Sequence, residues 1–258
     1  MVVDPFSLIS PEPFEIPYAG RVKAPSLREI AREGYLSYQS YLSLLSMDQE
    51  ACFSMVSEEG RRLLSQYAKQ ETKPLTSFDI FTFDKQLRAA LCAALDFFLE
   101  ETPVFDEKTK VFLTYPPDFP KSSDGPPSPL GVITSENYPV VCDVILQRAC
   151  VKKADQSLEN GRVKNEAAAR ILQKLEKGKN SRKPKEDKRM DLPNVISSLA
   201  CHHKSLNLSN IWDLTVYQLY DQFHRQMIED SYGIHSVNVA AYGNSGGKFD
   251  PSMWFSVI

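Results

Sequence analysis

The chain has 258 residues, of which 42% are hydrophobic and 24% are charged, so gross disorder is excluded and one large domain or two small ones can form. Its formal net charge is -3, and this balance does not favour nucleic acid as the main partner. No stretch approaches the ~20 apolar residues that cross a bilayer, and the N-terminus lacks the pattern of a signal peptide.

The first elements are indicated by short-range signals. Residues 14–22 predict a weak β-hairpin with its turn at Ala19-Gly20. Ser26 is followed three residues later by Glu29, which is the spacing of a capping box at a helix start. Apolar residues at three- and four-residue intervals then predict one helix over residues 27–45 with one buried face.

The middle of the chain alternates between helix and strand signals. Helices are predicted over residues 48–56, 57–67, 84–100, 134–152 and 165–177. Strands are predicted at 103–105, 110–114 and 131–133, the first two joined as a hairpin. Residues 75–83 are ambiguous, and residues 115–130 predict a proline-rich loop.

A lysine-rich stretch divides the chain. Residues 177–189 contain no large apolar side chain, so they cannot bury enough surface to offset their ordering entropy. We therefore expect an N-terminal α+β domain at 1–176, a flexible basic linker at 177–190 and a small helical domain at 191–258, with helices at 192–204 and 211–230. The fold class predicted is mainly α with small β hairpins.

No motif predicts catalysis, a metal site or a cofactor. Adjacent residues in Cys201-His202-His203 point about 100° apart on a helix, so they cannot converge on one ion. The glycines at 243, 246 and 247 lack the strand and the Ser or Thr of a phosphate loop. The histidines are not spaced for a catalytic triad. We expect no enzyme activity, although an enzyme or a nucleic-acid-binding regulator stays open as a minor alternative.

Two passages carry a family resemblance. Residues 24–35 with 38–42, and residues 212–223, resemble tail assembly chaperones encoded in the tail-gene clusters of phages and prophages of Gram-positive bacteria. The resemblance implies a non-enzymatic protein of the host cytoplasm, and the odd, widely spaced set of five cysteines also favours a cytosolic location. Such a protein coats the tape-measure protein, keeps it soluble, recruits tail-tube subunits and leaves before the virion is complete.

The expected contacts with these partners are aromatic. We expect exposed side chains that bind protein in both domains, namely Tyr35, Tyr38, Tyr41, Trp212, Tyr217 and Tyr220. The simpler interpretation of the tyrosine row is a half-buried helix face. Self-association is left open, and no specific nucleic acid and no membrane is expected. The alternative function is a structural virion protein of the tail or baseplate.

Overall fold

The computed structural model describes residues 1–70, 74–117, 128–151, 188–244 and 249–256. The chain divides into two compact units. The first unit consists of Met1–Val151 together with Asn210–Gln222, and the second consists of Lys152–Ser209 together with Phe223–Ile258. Each unit is described by itself.

The first unit holds most of the regular elements. Its helices are α1 (Pro5–Ile9), α2 (Leu27–Glu33), α3 (Tyr35–Ser46), α4 (Gln49–Ser54), α5 (Glu58–Gln70), α6 (Ser77–Phe83), α7 (Lys85–Phe98) and α8 (Tyr138–Arg148). Its strands are β1 (Phe14–Ile16), β2 (Gly20–Val22), β3 (Thr102–Asp106), β4 (Val111–Tyr115) and β5 (Gly131–Ile133). The mainly α fold with small β hairpins is confirmed.

The second unit is helical in the described residues. Its helix α9 spans Leu192–His202, with short 3₁₀ turns at Lys188–Met190 and Met253–Phe255. A long helix, α10 (Val216–Tyr242), begins in the first unit and ends in the second. The predicted helix at 165–177 and almost all of the predicted linker lie outside the described residues.

Both predicted hairpins are present as antiparallel pairs. In the first, Phe14 lies opposite Val22, and the turn contains Tyr18 in a left-handed conformation. In the second, Phe105 of β3 lies opposite Phe112 of β4, and β5 adds a third strand. The ring centroids of Phe105 and Phe112 are 5.1 Å apart, so this cross-strand pair helps to set the register.

The capping box predicted at Ser26 is present. The Ser26 backbone nitrogen donates to Glu29 Oε2 at 2.8 Å, and the Glu29 nitrogen donates to Ser26 Oγ at 3.2 Å. The prediction of one helix over 27–45 is wrong, because the chain breaks at Gly34 with φ of 99° and ψ of 127°. Glycine adopts this conformation without the steric cost of a Cβ, so α3 starts afresh at Tyr35.

The core of the first unit lies between the helices and the three-stranded sheet. Its largest fully buried side chains include Phe81, Phe98, Phe112, Leu91, Leu95, Ile133 and Ile145. Tyr138 of α8 packs against Phe78 and Phe81 of α6, with ring centroids 5.2 and 6.3 Å away. The ambiguous stretch at 75–83 is therefore helix α6, capped by Thr76 and buried on its aromatic side.

The start of the predicted helix at 211–230 is wrong. Ile211–Asp213 forms a 3₁₀ turn, Leu214 is extended, and the α-helix begins only at Val216. The contacts of Asn210–Gln222 also differ from the expected domain plan, because they place this segment in the first unit. The physical reason is its apolar side: Ile211 and Leu219 are fully buried.

Candidate protein interface

The two passages that carry the family resemblance meet in the first unit. The backbone nitrogen of Leu27 donates to the carbonyl oxygen of Leu214 at 2.9 Å, and Ser26 and Thr215 form an isolated antiparallel bridge. Beside them, Arg28 Nη2 lies 2.7 Å from Asp213 Oδ1. Residues far apart in sequence therefore form one continuous region.

A capping box also starts α10 at this junction. The Thr215 nitrogen donates to Gln218 Oε1 at 3.0 Å, and the Gln218 nitrogen donates to Thr215 Oγ1 at 3.2 Å. This reciprocal pair satisfies two N–H groups that a helix start leaves free. Because Val216 and Leu219 face inward, Tyr217 and Tyr220 lie half-buried at the surface of the first unit.

Tyr38 is a core residue. Only 4% of it is exposed, and its ring lies 6.1 Å from Phe97 and 6.0 Å from Phe98. Burial raises the pKa of Tyr38 strongly, and the nearby Cys150, Tyr220 and Tyr35 raise it further. The expectation that Tyr38 is an exposed contact is therefore wrong, because its side chain cannot reach a partner without leaving the core.

The other predicted aromatics are half-buried. Tyr35 accepts a hydrogen bond from Gln39 Nε2 at 3.0 Å, and burial together with Cys150 and Asp221 raises the pKa of Tyr217. Tyr35 and Tyr220 lie near Tyr38, and Tyr217 shares with Tyr38 the neighbour Cys150. We call Tyr35, Tyr217 and Tyr220 the tyrosine surface.

Tyr41 and Trp212 lie at separate places in the same unit. The Tyr41 hydroxyl donates to Glu33 Oε1 at 2.6 Å, and this bond is the main reason that the pKa of Tyr41 rises to about 12. Its ring lies 5.9 Å from that of Phe97. Trp212 lies in the 3₁₀ turn before α10, between Ile211 and Asp213. Tyr41 thus has a role in the local fold, and both side chains are half-buried.

Sequence reasoning missed several exposed apolar side chains. Leu36, next to Tyr35, is 78% exposed. In the second unit, Met227, Ile234 and Val237 of α10 are 54%, 65% and 67% exposed. With the exposed Ala241 they follow heptad spacing along one side of the helix, and we call these four residues the α10 stripe. This spacing, and the lack of Asp, Glu, Lys and Arg over residues 231–242, were visible in the sequence.

The Cys201-His202-His203 cluster takes separate roles. His202 Nε2 lies 2.9 Å from Asp230 Oδ2, while His203 Nδ1 accepts hydrogen bonds from the nitrogens of Ser205 and Leu206. Within the described ranges, no group of three or more His, Cys, Asp or Glu side chains could hold a metal ion. Part of the glycine loop, residues 245–248, lies outside those ranges.

A comparison with protein families gives a match in the C-terminal part of the chain. Residues 182–258 match the family model described as the YomV second domain, which comes from a phage- or prophage-derived protein of Bacillus. This part of the chain is therefore similar to a phage-related domain. The matched range begins inside the predicted linker and covers the whole of the predicted domain at 191–258.

No curated protein and no solved structure matches the chain significantly. In the part of the chain that the structure describes, helices long and apolar enough to span a membrane are absent.

Proposed function

We propose that the protein is a phage tail assembly chaperone. It binds the tape-measure protein in the host cytoplasm, keeps it soluble and recruits tail-tube subunits, and it acts by binding, without a catalytic step or a cofactor. The similarity of residues 182–258 to a phage-related domain supports this proposal. The observation that carries it is the contact between Leu27 and Leu214, which joins the two passages of the resemblance in one region.

The tyrosine surface is suited to protein binding. A tyrosine ring contributes a large apolar area with few rotatable bonds, and its hydroxyl can still form a hydrogen bond to a partner or to water. Tyrosine is also enriched in interfaces relative to the rest of a protein surface. The neighbouring Leu36 adds exposed apolar area. In this proposal, the surface binds an apolar helix of the tape-measure protein.

The α10 stripe offers a second contact of the same kind. An exposed apolar row on a helix can pack against the apolar face of another helix. Because residues 231–242 carry no Asp, Glu, Lys or Arg, such packing desolvates little charge there. The stripe and the tyrosine surface lie in different units, so each can be tested by its own variant.

The test is co-expression with the tape-measure protein, followed by affinity capture and by measurement of the soluble tape-measure fraction. The variant Tyr35→Ala/Tyr217→Ala/Tyr220→Ala removes the tyrosine surface. Each hot-spot side chain contributes about 2 kcal/mol of binding free energy, so we expect the triple variant to bind the tape-measure protein at least ~100-fold more weakly. Tyr38→Phe is the matched control, because it alters a tyrosine of the same cluster that is buried. Absence of any complex with the unaltered chain contradicts the proposal.

A structural protein of the tail or baseplate is the competing function. Purified phage particles distinguish the two, because a chaperone leaves before the virion is complete. Stoichiometric amounts of the chain in particles would replace the chaperone proposal with the structural one.

A further inference from the structure

The first unit is built from two separate pieces of chain. Its segment Asn210–Gln222 follows Val151 only after the 58 residues 152–209. The segment nevertheless contributes to the core: Ile211 and Leu219 are fully buried, and Val216 is buried as well. An apolar side of this kind gains stability from each side chain that leaves water.

Polar contacts anchor the segment at three points. Leu214 accepts the hydrogen bond from the backbone of Leu27, and Asp213 accepts two from Arg28, at 3.0 and 2.7 Å. Gln218 Nε2 donates to the carbonyl oxygen of Ile9 at 2.8 Å. The anchors extend from the 3₁₀ turn into the first turn of α10, so they fix the middle of the segment, residues 213–218.

The segment covers apolar side chains of the N-terminal piece. Val216 lines a small cavity of about 10 Å³ together with Tyr38, Phe98 and Ile145. These three side chains are all buried in the complete unit. Without the segment, part of this lining would face water, so residues 1–151 alone would carry an open apolar groove.

We infer that residues 1–151 form a docking site for the segment 210–222, and that the segment occupies it whether or not residues 152–209 connect the two. The inference does not depend on the chaperone proposal, because it concerns contacts within the protein itself.

Cleavage of the chain between residues 152 and 209 tests whether the segment stays docked without a covalent connection. A protease site is inserted into the full chain between residues 160 and 180, and Trp254→Phe leaves Trp212, inside the segment, as the sole tryptophan. After cleavage, we expect both fragments to elute together on size exclusion, with a dissociation constant below about 1 µM. We also expect the fluorescence of Trp212 to match that of the uncut protein. Separation of the fragments under native conditions overturns the inference.

A peptide competition shows whether the segment itself is the docked element. A synthetic peptide of residues 207–224, in large excess, displaces the C-terminal fragment from the cleaved protein. The same peptide with Ile211→Asp and Leu219→Asp does not, because it cannot bury its apolar side. If the unaltered peptide leaves the cleaved complex intact, the fragments are held by other contacts and the assignment to 210–222 is wrong.

Discussion

The carboxylate of Asp84 accepts hydrogen bonds from both the backbone nitrogen and the hydroxyl of Ser57, at 2.9 and 2.6 Å. Asp84 is also the N-cap of α7, where it accepts from the nitrogens of Gln86 and Leu87 at 2.9 and 3.0 Å. Ser57 immediately precedes α5. One buried side chain therefore fixes the starts of two helices.

Replacing Asp84 should destabilise the first unit. Asp84→Ala removes the cap and leaves the Ser57 donors unpaired, so we expect the free energy of unfolding to fall by about 3 kcal/mol. Asp84→Asn keeps one acceptor at the cap and should lose less. Urea unfolding followed by circular dichroism measures both. A change below about 0.5 kcal/mol for Asp84→Ala would show that water replaces these bonds.

The same side chain should make stability depend on pH. Burial raises the pKa of Asp84, but the hydrogen bonds from Ser57, Leu87 and Gln86 together lower it more, so it lies below the ordinary value of 3.8. The folded state thus binds this proton more weakly than the unfolded state does. The resulting stabilisation is complete above about pH 5 and is lost as the pH falls through 3.8 towards the folded pKa.

Urea midpoints of the unaltered chain and of Asp84→Asn, measured between about pH 3 and 7, check this dependence. The difference between the two proteins should narrow towards pH 3. A difference that stays constant, or widens on acidification, would contradict the lowered pKa.

Loss of the Thr215–Gln218 capping box should weaken the docking of α10. Thr215→Ala removes the hydroxyl that accepts a hydrogen bond from the Gln218 nitrogen. We expect the free energy of unfolding of the first unit to fall by about 1 kcal/mol. Thr215→Ser retains the acceptor and is the matched control. Ser26→Ala, which removes the Ser26–Glu29 capping box of α2, should lower the free energy of unfolding by a similar amount. Equal stability of Thr215→Ala and Thr215→Ser in thermal unfolding would exclude a capping role.

Two glycines should respond in opposite directions to the same substitution. A Cβ at Gly20 would lie 2.8 Å from Glu101 Oε2, at φ of +132°, so Gly20→Ala should destabilise the first unit by at least ~1 kcal/mol. Gly233 lies inside α10, and a Cβ there would meet no atom of the described chain within 4 Å. Gly233→Ala should therefore stabilise the helix by about 0.5–1 kcal/mol. Hydrogen exchange of α10 amides, compared with that of β2, separates the two effects.

Arg148 should be required to hold the N-terminal segment. Its buried guanidinium donates to the carbonyl oxygens of Val22, Ser10 and Glu12, at 3.2, 2.8 and 2.7 Å. Arg148→Met leaves these carbonyls without that donor, at a cost of about 3 kcal/mol. Arg148→Lys keeps the charge but lacks the planar fork, so it should recover only part of the loss. Faster proteolysis near residues 10–12 in Arg148→Met, with the Lys variant intermediate, is the expected readout.

Much of the local structure could be predicted from the sequence. The Ser26–Glu29 box, the hairpin over residues 14–22 and the helix start at Asp84 depend on signals within a few residues, and these features are present. The turn of the hairpin lies at residues 17–19 and not at Ala19-Gly20, because Gly20 already pairs with Ile16. The Thr215–Gln218 box has the same spacing, but Leu208-Ser209 also resembles a helix cap and favoured a helix start at Ile211. The two local signals thus predicted different starts for the helix. The contact of Leu214 with Leu27 of α2 favours the later start.

The candidate site was less predictable, because it depends on contacts between distant residues. Tyr35 and Tyr38 lie on the same helix and are chemically identical, yet Tyr38 is buried beside Phe97 and Phe98 whereas Tyr35 is half-buried. Periodicity alone cannot show which of them faces the core when the chain breaks at Gly34. Similarly, nothing near Leu214 indicates that its carbonyl pairs with Leu27.

Because the first unit is built from two separate pieces of chain, it cannot fold completely until both pieces have been synthesised. At translation rates of about 5–20 residues per second, the 58 residues 152–209 take roughly 3–12 s to emerge. During this interval the nascent chain holds residues 1–151 but still lacks Val216 and Leu219. The groove that these side chains fill is then open beside the ribosome. The first unit can therefore close only after residues 210–222 have emerged, however quickly its own helices form.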